Sequence, residues 1–250
     1  MRKVFRMLFL VVLGIVIGMV VYEGIFFVRV FRLRNNNPSS TSLIDTRAQE
    51  AQAKGQQPRR EQVWVPLDKV SPNLQRAVLA GEDTNFVTHR GFDYEAIQKA
   101  FEQAQRETAR QAKAEGEDDD WLPTLPEFRR GGSTISQQLA KNLYLSSQRS
   151  FLRKGQEAAL TVMLERTLTK RRVLEIYLNV IEWGDGIYGA EAASQRYFRK
   201  PASALTASEA AYLSAMIPNP RTVFNPQVNP RRVARRQRII LRGMPYVKLP

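Results

Sequence analysis

The sequence predicts a mainly α-helical domain behind one membrane-spanning helix, and three observations predict it. Apolar residues recur at helical spacing through the chain beyond residue 63, whereas alternating apolar runs are scarce. Capping residues stand in front of several of these stripes. One long apolar run lies near the N-terminus. With 250 residues, 43% of them hydrophobic, the chain can bury a sizeable core and is too apolar to be mostly disordered.

The apolar run extends from Met7 to Val28. As a helix it is roughly 33 Å long, enough for the hydrocarbon core of a bilayer. Glu23, close to one end, is its one ionisable side chain. Signal peptides have shorter apolar cores and a small-residue exit. Here the exit reads FVRVFRLR, so an uncleaved anchor is expected. Arg2, Lys3 and Arg6 before the run balance Arg29, Arg32 and Arg34 after it, so flanking charge does not orient it. Gly14 and Gly18 have the spacing of a helix-pairing face, but no stripe of small residues extends it. The division expected is an anchor with basic flanks at 1–34, a polar linker at 35–62, a compact domain at 63–244 and a tail at 245–250.

Within the domain, Ser71 followed by Pro72 is a cap with proline at the first helical position. Thr134 with Gln137, and Thr206 with Glu209, have capping-box spacing. Ile135, Leu139 and Leu143 form one stripe; Val173, Leu174, Tyr177, Leu178 and Ile181 form another. The segment 150–170 reads as one helix. The charged block AKAEGEDDD reads as a solvated loop. Pro218 and Pro220 end a helix, and the Asn-Pro pairs at Asn225 and Asn229 mark turns. A last helix, about Arg231 to Arg242, is basic on one side and carries Val233, Ile240 and Leu241 on the other. It either docks on the domain or touches lipid headgroups.

The lack of cysteine excludes disulfides, thiolate zinc sites and cysteine nucleophiles. A single histidine, His89, leaves no multi-histidine metal site. A formal net charge of +14 fits nucleic acid, an anionic lipid surface or an anionic substrate. The apolar run favours the second and third.

Two carboxylates stand where core residues belong. Leu74 and Val78 lie on the inward stripe of their helix, and its next position is Glu82. Glu157 shares a face with Leu160, Leu164 and Leu168. Burial raises a carboxyl pKa, which suits a general base or acid, although a structural pair with arginine is the plainer explanation of each. Paired carboxylates are a feature of glycosidic-bond chemistry. Gln138 and Lys141 lie off the apolar stripe of their helix, and Arg149, Arg153 and Lys154 follow. Gly131-Gly132 ahead of that helix offers free N–H groups to a phosphate, which the cations would neutralise.

These residues sit in longer strings. EDTNFVTHRG (Glu82 to Gly91) resembles the E-D-x-x-F-x-x-H-x-G signature of peptidoglycan glycosyltransferases. GGSTISQQLAKNLYL (Gly131 to Leu145) and RKGQEAALTVMLERTLTKRRVLEIYLN (Arg153 to Asn179) are similar to that family's next two segments. GIYGAEAASQRYF and LTASEAAYLSAMIPNP are similar to its later ones. The likeness runs in order over residues 63–244, which chance does not produce. The family includes the glycosyltransferase domain of class A penicillin-binding proteins. The present chain is too short to add a transpeptidase domain, so a monofunctional enzyme is expected.

The resemblance implies a lysozyme-like, mainly α lobe with a membrane-proximal jaw lobe. It implies polymerisation of lipid II into β-1,4-linked glycan, with inversion at the MurNAc anomeric carbon and release of undecaprenyl diphosphate. Carried over position by position, Glu82 is the general base and Glu157 a second functional glutamate. Lys141, Arg149 and Arg153 lie near the donor diphosphate, and Ser133 and Gln138 are donor contacts. Asp83, Phe86 and His89 are scaffold. No cofactor is obligatory, and Mg²⁺ or Mn²⁺ bridging the substrate diphosphate is an optional assistant; no protein metal cage is evident. The implied partners are lipid II, the growing glycan–undecaprenyl diphosphate and the plasma (inner) membrane, with cell-division and penicillin-binding proteins left open. The implied topology is single-pass, with a cytoplasmic N-terminus and a periplasmic domain. Two other readings compete: a membrane-anchored lytic transglycosylase or muramidase, which needs no diphosphate site, and a non-catalytic scaffold. Nucleic-acid binding fits the charge but no recognised module.

Overall fold

The computed structural model describes residues 2–115, 133–146 and 150–250, and these are mainly α-helical. Helix α1, Arg2–Arg32, is the one described helix long and apolar enough to cross a membrane. Its side chains stand bare up to Tyr22; Glu23 is half-buried, and Phe26 and Val30, with Leu33 just beyond the helix, enter the core. Phe26 meets Tyr144 edge-on, with ring centroids 5.7 Å apart. Arg34 Nε donates to the Thr167 carbonyl (2.8 Å) and Arg172 Nε to that of Leu33 (2.8 Å). The anchor therefore runs into the domain without slack.

The stretch expected to be a linker carries a helix, α2, Ser42–Ala53. Thr41 Oγ1 caps it by accepting from Ile44 N (3.2 Å). Ser42 Oγ donates to the Leu145 carbonyl (2.8 Å), and Arg47 Nε donates to Glu182 (3.0 Å). Polar tertiary bonds, with Ile44 as the one buried side chain, fix α2. Such a helix has no apolar stripe to betray it. The same stretch ends in β1, Glu61–Gln62, which pairs in parallel with β3, Ile187–Tyr188. β2, Glu182–Gly184, pairs antiparallel on the other side, giving the order β1-β3-β2.

The remaining helices are α3 (Pro72–Glu82), α4 (Tyr94–Glu115), α5 (Ile135–Tyr144), α6 (Phe151–Thr167), α7 (Lys170–Val180), α8 (Ala190–Phe198), α9 (Ala207–Met216) and α10 (Pro230–Gly243). The segment expected as one helix is two, α6 and α7. Leu168 turns extended, and Thr169 Oγ1 caps α7 by accepting from Arg172 N (3.2 Å). A side-chain cap offers the backbone a better arrangement there than a continued helix.

Both anticipated capping boxes form, at Thr134 with Gln137 and at Thr206 with Glu209. Leu74 and Val78 of α3, Ile135 and Leu139 of α5, and Leu160 and Leu164 of α6 are fully buried. So is the α7 stripe of Val173, Leu174, Tyr177 and Leu178. Helices α9 and α10 pack on α3, whose last turn lacks side-chain bulk. A Cβ on Gly81 would lie 2.8 Å from Ser214 Oγ and 3.2 Å from Ile240. That close approach brings α10 against the C-terminal end of α3, where Glu82 projects.

Candidate active site

Glu82 ends α3, and three other helices converge on it. Gln138 Nε2, from α5, donates to its Oε2 (2.9 Å). Tyr177 OH, from α7, donates to Gln138 Oε1 (2.8 Å) and so fixes which way that amide faces. Arg236, from α10, places Nη2 on Glu82 Oε1 (2.7 Å) and on the Gly81 carbonyl (2.9 Å). The Arg236 guanidinium also lies over the Phe224 ring, 5.5 Å from its centroid. The Glu82 side chain is only 9% exposed. Burial raises its pKa; Arg236, Gln138 and Lys141 oppose that rise without cancelling it. Burial also pushes the Tyr177 phenol well above its ordinary range, so it stays a neutral donor.

The turn after α3 is built by Asp83. Its carboxylate accepts from Ile135 N at the start of α5 (2.9 Å) and from His89 Nε2 (2.9 and 3.1 Å). His89 Nδ1 accepts from Gly91 N (3.2 Å), so the neutral ring carries its proton on Nε2 and donates it to Asp83. Thr134 Oγ1 donates to the Gly91 carbonyl (2.6 Å), closing the turn against α5. Phe86 is fully buried beneath it. These bonds give Asp83, Phe86 and His89 a structural part, as expected.

Glu157 is buried on α6 and is held from its own helix. Arg153 Nη1 donates to Oε2 (3.2 Å), and Lys154 Nζ donates to Oε1. Arg153 Nε is buried with no partner among the described residues. Lys141 of α5 lies within electrostatic reach of both glutamates. Its side chain opens to solvent but is flanked by protein and by cations. Its pKa is lowered first by the surrounding protein, then by Arg153 and Lys154; Glu157 and Glu82 pull the other way. Lys141, Arg153 and Lys154 thus gather three cations about the one carboxylate of Glu157.

Of the residues anticipated from sequence, the structure groups Glu82, Gln138, Lys141, Arg153 and Glu157. Ser133 is exposed just before the α5 cap, and its side chain makes no hydrogen bond among the described residues. Arg149, Gly131-Gly132 and most of the acidic block lie outside the described residues. Among the described residues, no group of three or more His, Asp or Glu side chains could hold a metal ion.

The transglycosylase family matches the chain over residues 48–116 and 122–245. The chain belongs to the transglycosylase family. It is 44% identical over 245 residues to the biosynthetic peptidoglycan transglycosylase of Chromobacterium violaceum, covering 98% of this chain and 99% of that one. It is 45% identical over 250 residues to the protein of the same description from Thiobacillus denitrificans, covering both chains completely. With that from Aromatoleum aromaticum it shares 46% over 240 residues, 96% of each chain. The family match begins inside α2, so it takes in part of the stretch read as linker.

For this transglycosylase family member, sequence reasoning overlooked two residues of the site, Arg236 and Tyr177. Tyr177 reads as a core residue of the α7 stripe, and its ring is one; only the hydroxyl reaches the site. Arg236 is one of six arginines between Arg231 and Arg242. Its one distinguishing mark is angular: it projects between the buried and the solvent-facing sides of α10.

Proposed function

We propose that this protein is a peptidoglycan transglycosylase that polymerises lipid II into β-1,4-linked glycan with inversion at the MurNAc anomeric carbon, releasing undecaprenyl diphosphate. One observation carries the reading. A buried glutamate with a raised pKa, Glu82, and a second buried glutamate with its two cations, Glu157, both lie within electrostatic reach of Lys141. The names of the relatives at about 45% identity support the peptidoglycan substrate.

In this proposal Glu82 takes the proton of the acceptor's GlcNAc 4-hydroxyl as its oxygen attacks the donor's anomeric carbon. The bond from that carbon to the diphosphate oxygen breaks, and the leaving group carries the electron pair away. Arg236 keeps Glu82 ionised enough to accept the proton. Gln138, oriented by Tyr177, aims the carboxylate. Lys141 and Arg153, with Arg149 as a further candidate, stabilise the departing diphosphate, an electrostatic contribution made by groups already in place. Glu157 holds Arg153 and Lys154 in their places. Ser133, exposed at the rim, is a candidate donor contact. Mg²⁺ or Mn²⁺ enters only as a companion of the substrate diphosphate. Helix α1 keeps the domain beside a lipid-linked substrate, with the N-terminus cytoplasmic and the domain on the outer face of the inner membrane. Cell-division and penicillin-binding proteins are candidate partners.

The test is incubation of the full chain with labelled lipid II in detergent, followed by lysozyme digestion. Polymer that lysozyme degrades is expected. Cleavage of preformed glycan without any polymerisation would replace the proposal with a lytic activity.

A further inference from the structure

Helix α10 carries a feature that the site does not use. Arg231, Arg235, Arg238 and Arg242 fall within an arc of about 60° on a helical projection, opposite the buried Val233 and Ile240. All four are exposed and, with no Asp or Glu on the helix, none has an ion-pair partner among the described residues. The stripe is roughly 16 Å long. Arg236, on the inner flank of the same helix, is paired with Glu82, as Arg47, Arg153, Arg171, Arg172 and Arg221 are with other carboxylates.

The stripe works against the helix that bears it. Its members repel one another at spacings of three and four residues. Arg231 and Arg232 occupy the first turn, where the helix dipole disfavours cations. Asn229, before that turn, makes no side-chain cap to offset this. An anionic surface lying along the stripe would reverse each of these costs.

A chain of contacts links α10 to the anchor. Glu23 meets Gln156, and Arg34 meets Thr167, eleven residues further on in both helices, so α1 and α6 run side by side and parallel. Helix α5 spans from Ser136, bonded to Glu165, to Tyr144, against Phe26. Gln138 on α5 holds Glu82, and Glu82 holds Arg236. The middle of α10 is thus linked, through α3 and α5, to the last turns of α1, where the apolar run ends and the headgroup layer begins. Ile239 on one flank of the stripe is 62% exposed, and Tyr246 just beyond the helix is 83% exposed; both suit the boundary between headgroups and acyl chains.

We propose that the outward face of α10 rests on anionic phospholipid headgroups of the membrane that α1 crosses, giving the domain a second membrane contact. The proposal rests on reading α1 as an anchor. Guanidinium groups suit the purpose because their planar forks bind phosphate oxygens in pairs. A soluble polyanion would gain nothing from Ile239 or Tyr246.

The chain has no cysteine, so Ile239→Cys supplies a unique thiol for a spin label. The labelled full chain is reconstituted in phosphatidylcholine vesicles and in vesicles that also contain phosphatidylglycerol. Co-flotation with both checks the anchor, and failure to float overturns the anchor reading and the proposal together. With flotation established, loss of accessibility to a water-soluble relaxer at position 239 is expected in the anionic vesicles alone. Combined Arg231→Gln, Arg235→Gln, Arg238→Gln and Arg242→Gln substitutions should abolish that protection and raise Tm in detergent. A label equally water-accessible in both lipids overturns the proposal, as does protection by soluble polyphosphate but not by anionic vesicles.

Discussion

The two glutamates of the site are held in opposite ways. Glu157 takes both its cations from its own helix, three and four residues away. Glu82 takes nothing from its own helix; Gln138, Arg236 and, through Gln138, Tyr177 come from three other helices. A locally held carboxylate keeps its partners whenever its helix forms. One held across the fold has them only when α3, α5, α7 and α10 are all in place. This difference suits a base that must be aimed to a fraction of an ångström on one side, and a charge framework for the leaving group on the other.

The harshest test of that contrast is Glu82→Gln. The amide preserves shape and can still accept from Arg236 but cannot take a proton. Polymerisation should fall by about 10²–10⁴-fold with the fold intact by circular dichroism. Near-normal turnover would remove Glu82 as the base and leave the contrast purely structural.

Lys141→Ala follows. Lys141 lies within electrostatic reach of both glutamates and is bonded to neither. A drop of roughly 10²-fold in kcat/KM is expected, of the size seen when one preplaced charge-stabilising group is removed. Unchanged kcat/KM would mean that the diphosphate is held elsewhere.

The same contrast decides what the sequence could disclose. Glu157 and its partners sit within one helical repeat, so a structural pair with arginine was open to view there as the plainer alternative. The inward direction of Glu82 was legible as well, because Leu74 and Val78 set the stripe. Its partners were not, since Arg236 lies 154 residues away and its pairing depends on how closely Gly81 lets α10 approach. Local capping governs helix starts, and Ser71, Thr134 and Thr206 were read correctly for that reason. Helix α2 was missed because polar bonds to distant residues hold it. The α6–α7 break was missed because its cap, Thr169, falls inside an otherwise continuous stripe.

Arg236→Gln probes the long-range framework through pH. Burial raises the Glu82 pKa, and Arg236 is the largest influence opposing the rise. Removing that cation lifts the pKa further, so the carboxylate ionises at higher pH. The acidic limb of kcat/KM should therefore move to higher pH, with the deficit largest at low pH and shrinking as pH rises. Arg236→Lys should restore part of the shift, because it returns the charge without the fork. A uniform loss at all pH values would show that Arg236 acts through packing against Phe224 rather than through its charge.

Tyr177→Phe is the mildest break. The ring remains in the core and only the hydroxyl goes, leaving Gln138 Oε1 without its donor. Stability should fall by about 1 kcal/mol, measurable by urea denaturation. The smaller consequence is orientational. With Oε1 unbound, the Gln138 amide can turn over and present oxygen rather than N–H₂ to Glu82. Two acceptors then face each other, and the carboxylate loses its aim without losing its charge. The rate should fall modestly at every pH, with the acidic limb moving far less than for Arg236→Gln. Separate signatures for the two variants would divide the long-range framework into a part that sets charge and a part that sets direction. Coincident pH profiles would show that the four helices hold Glu82 as a single unit.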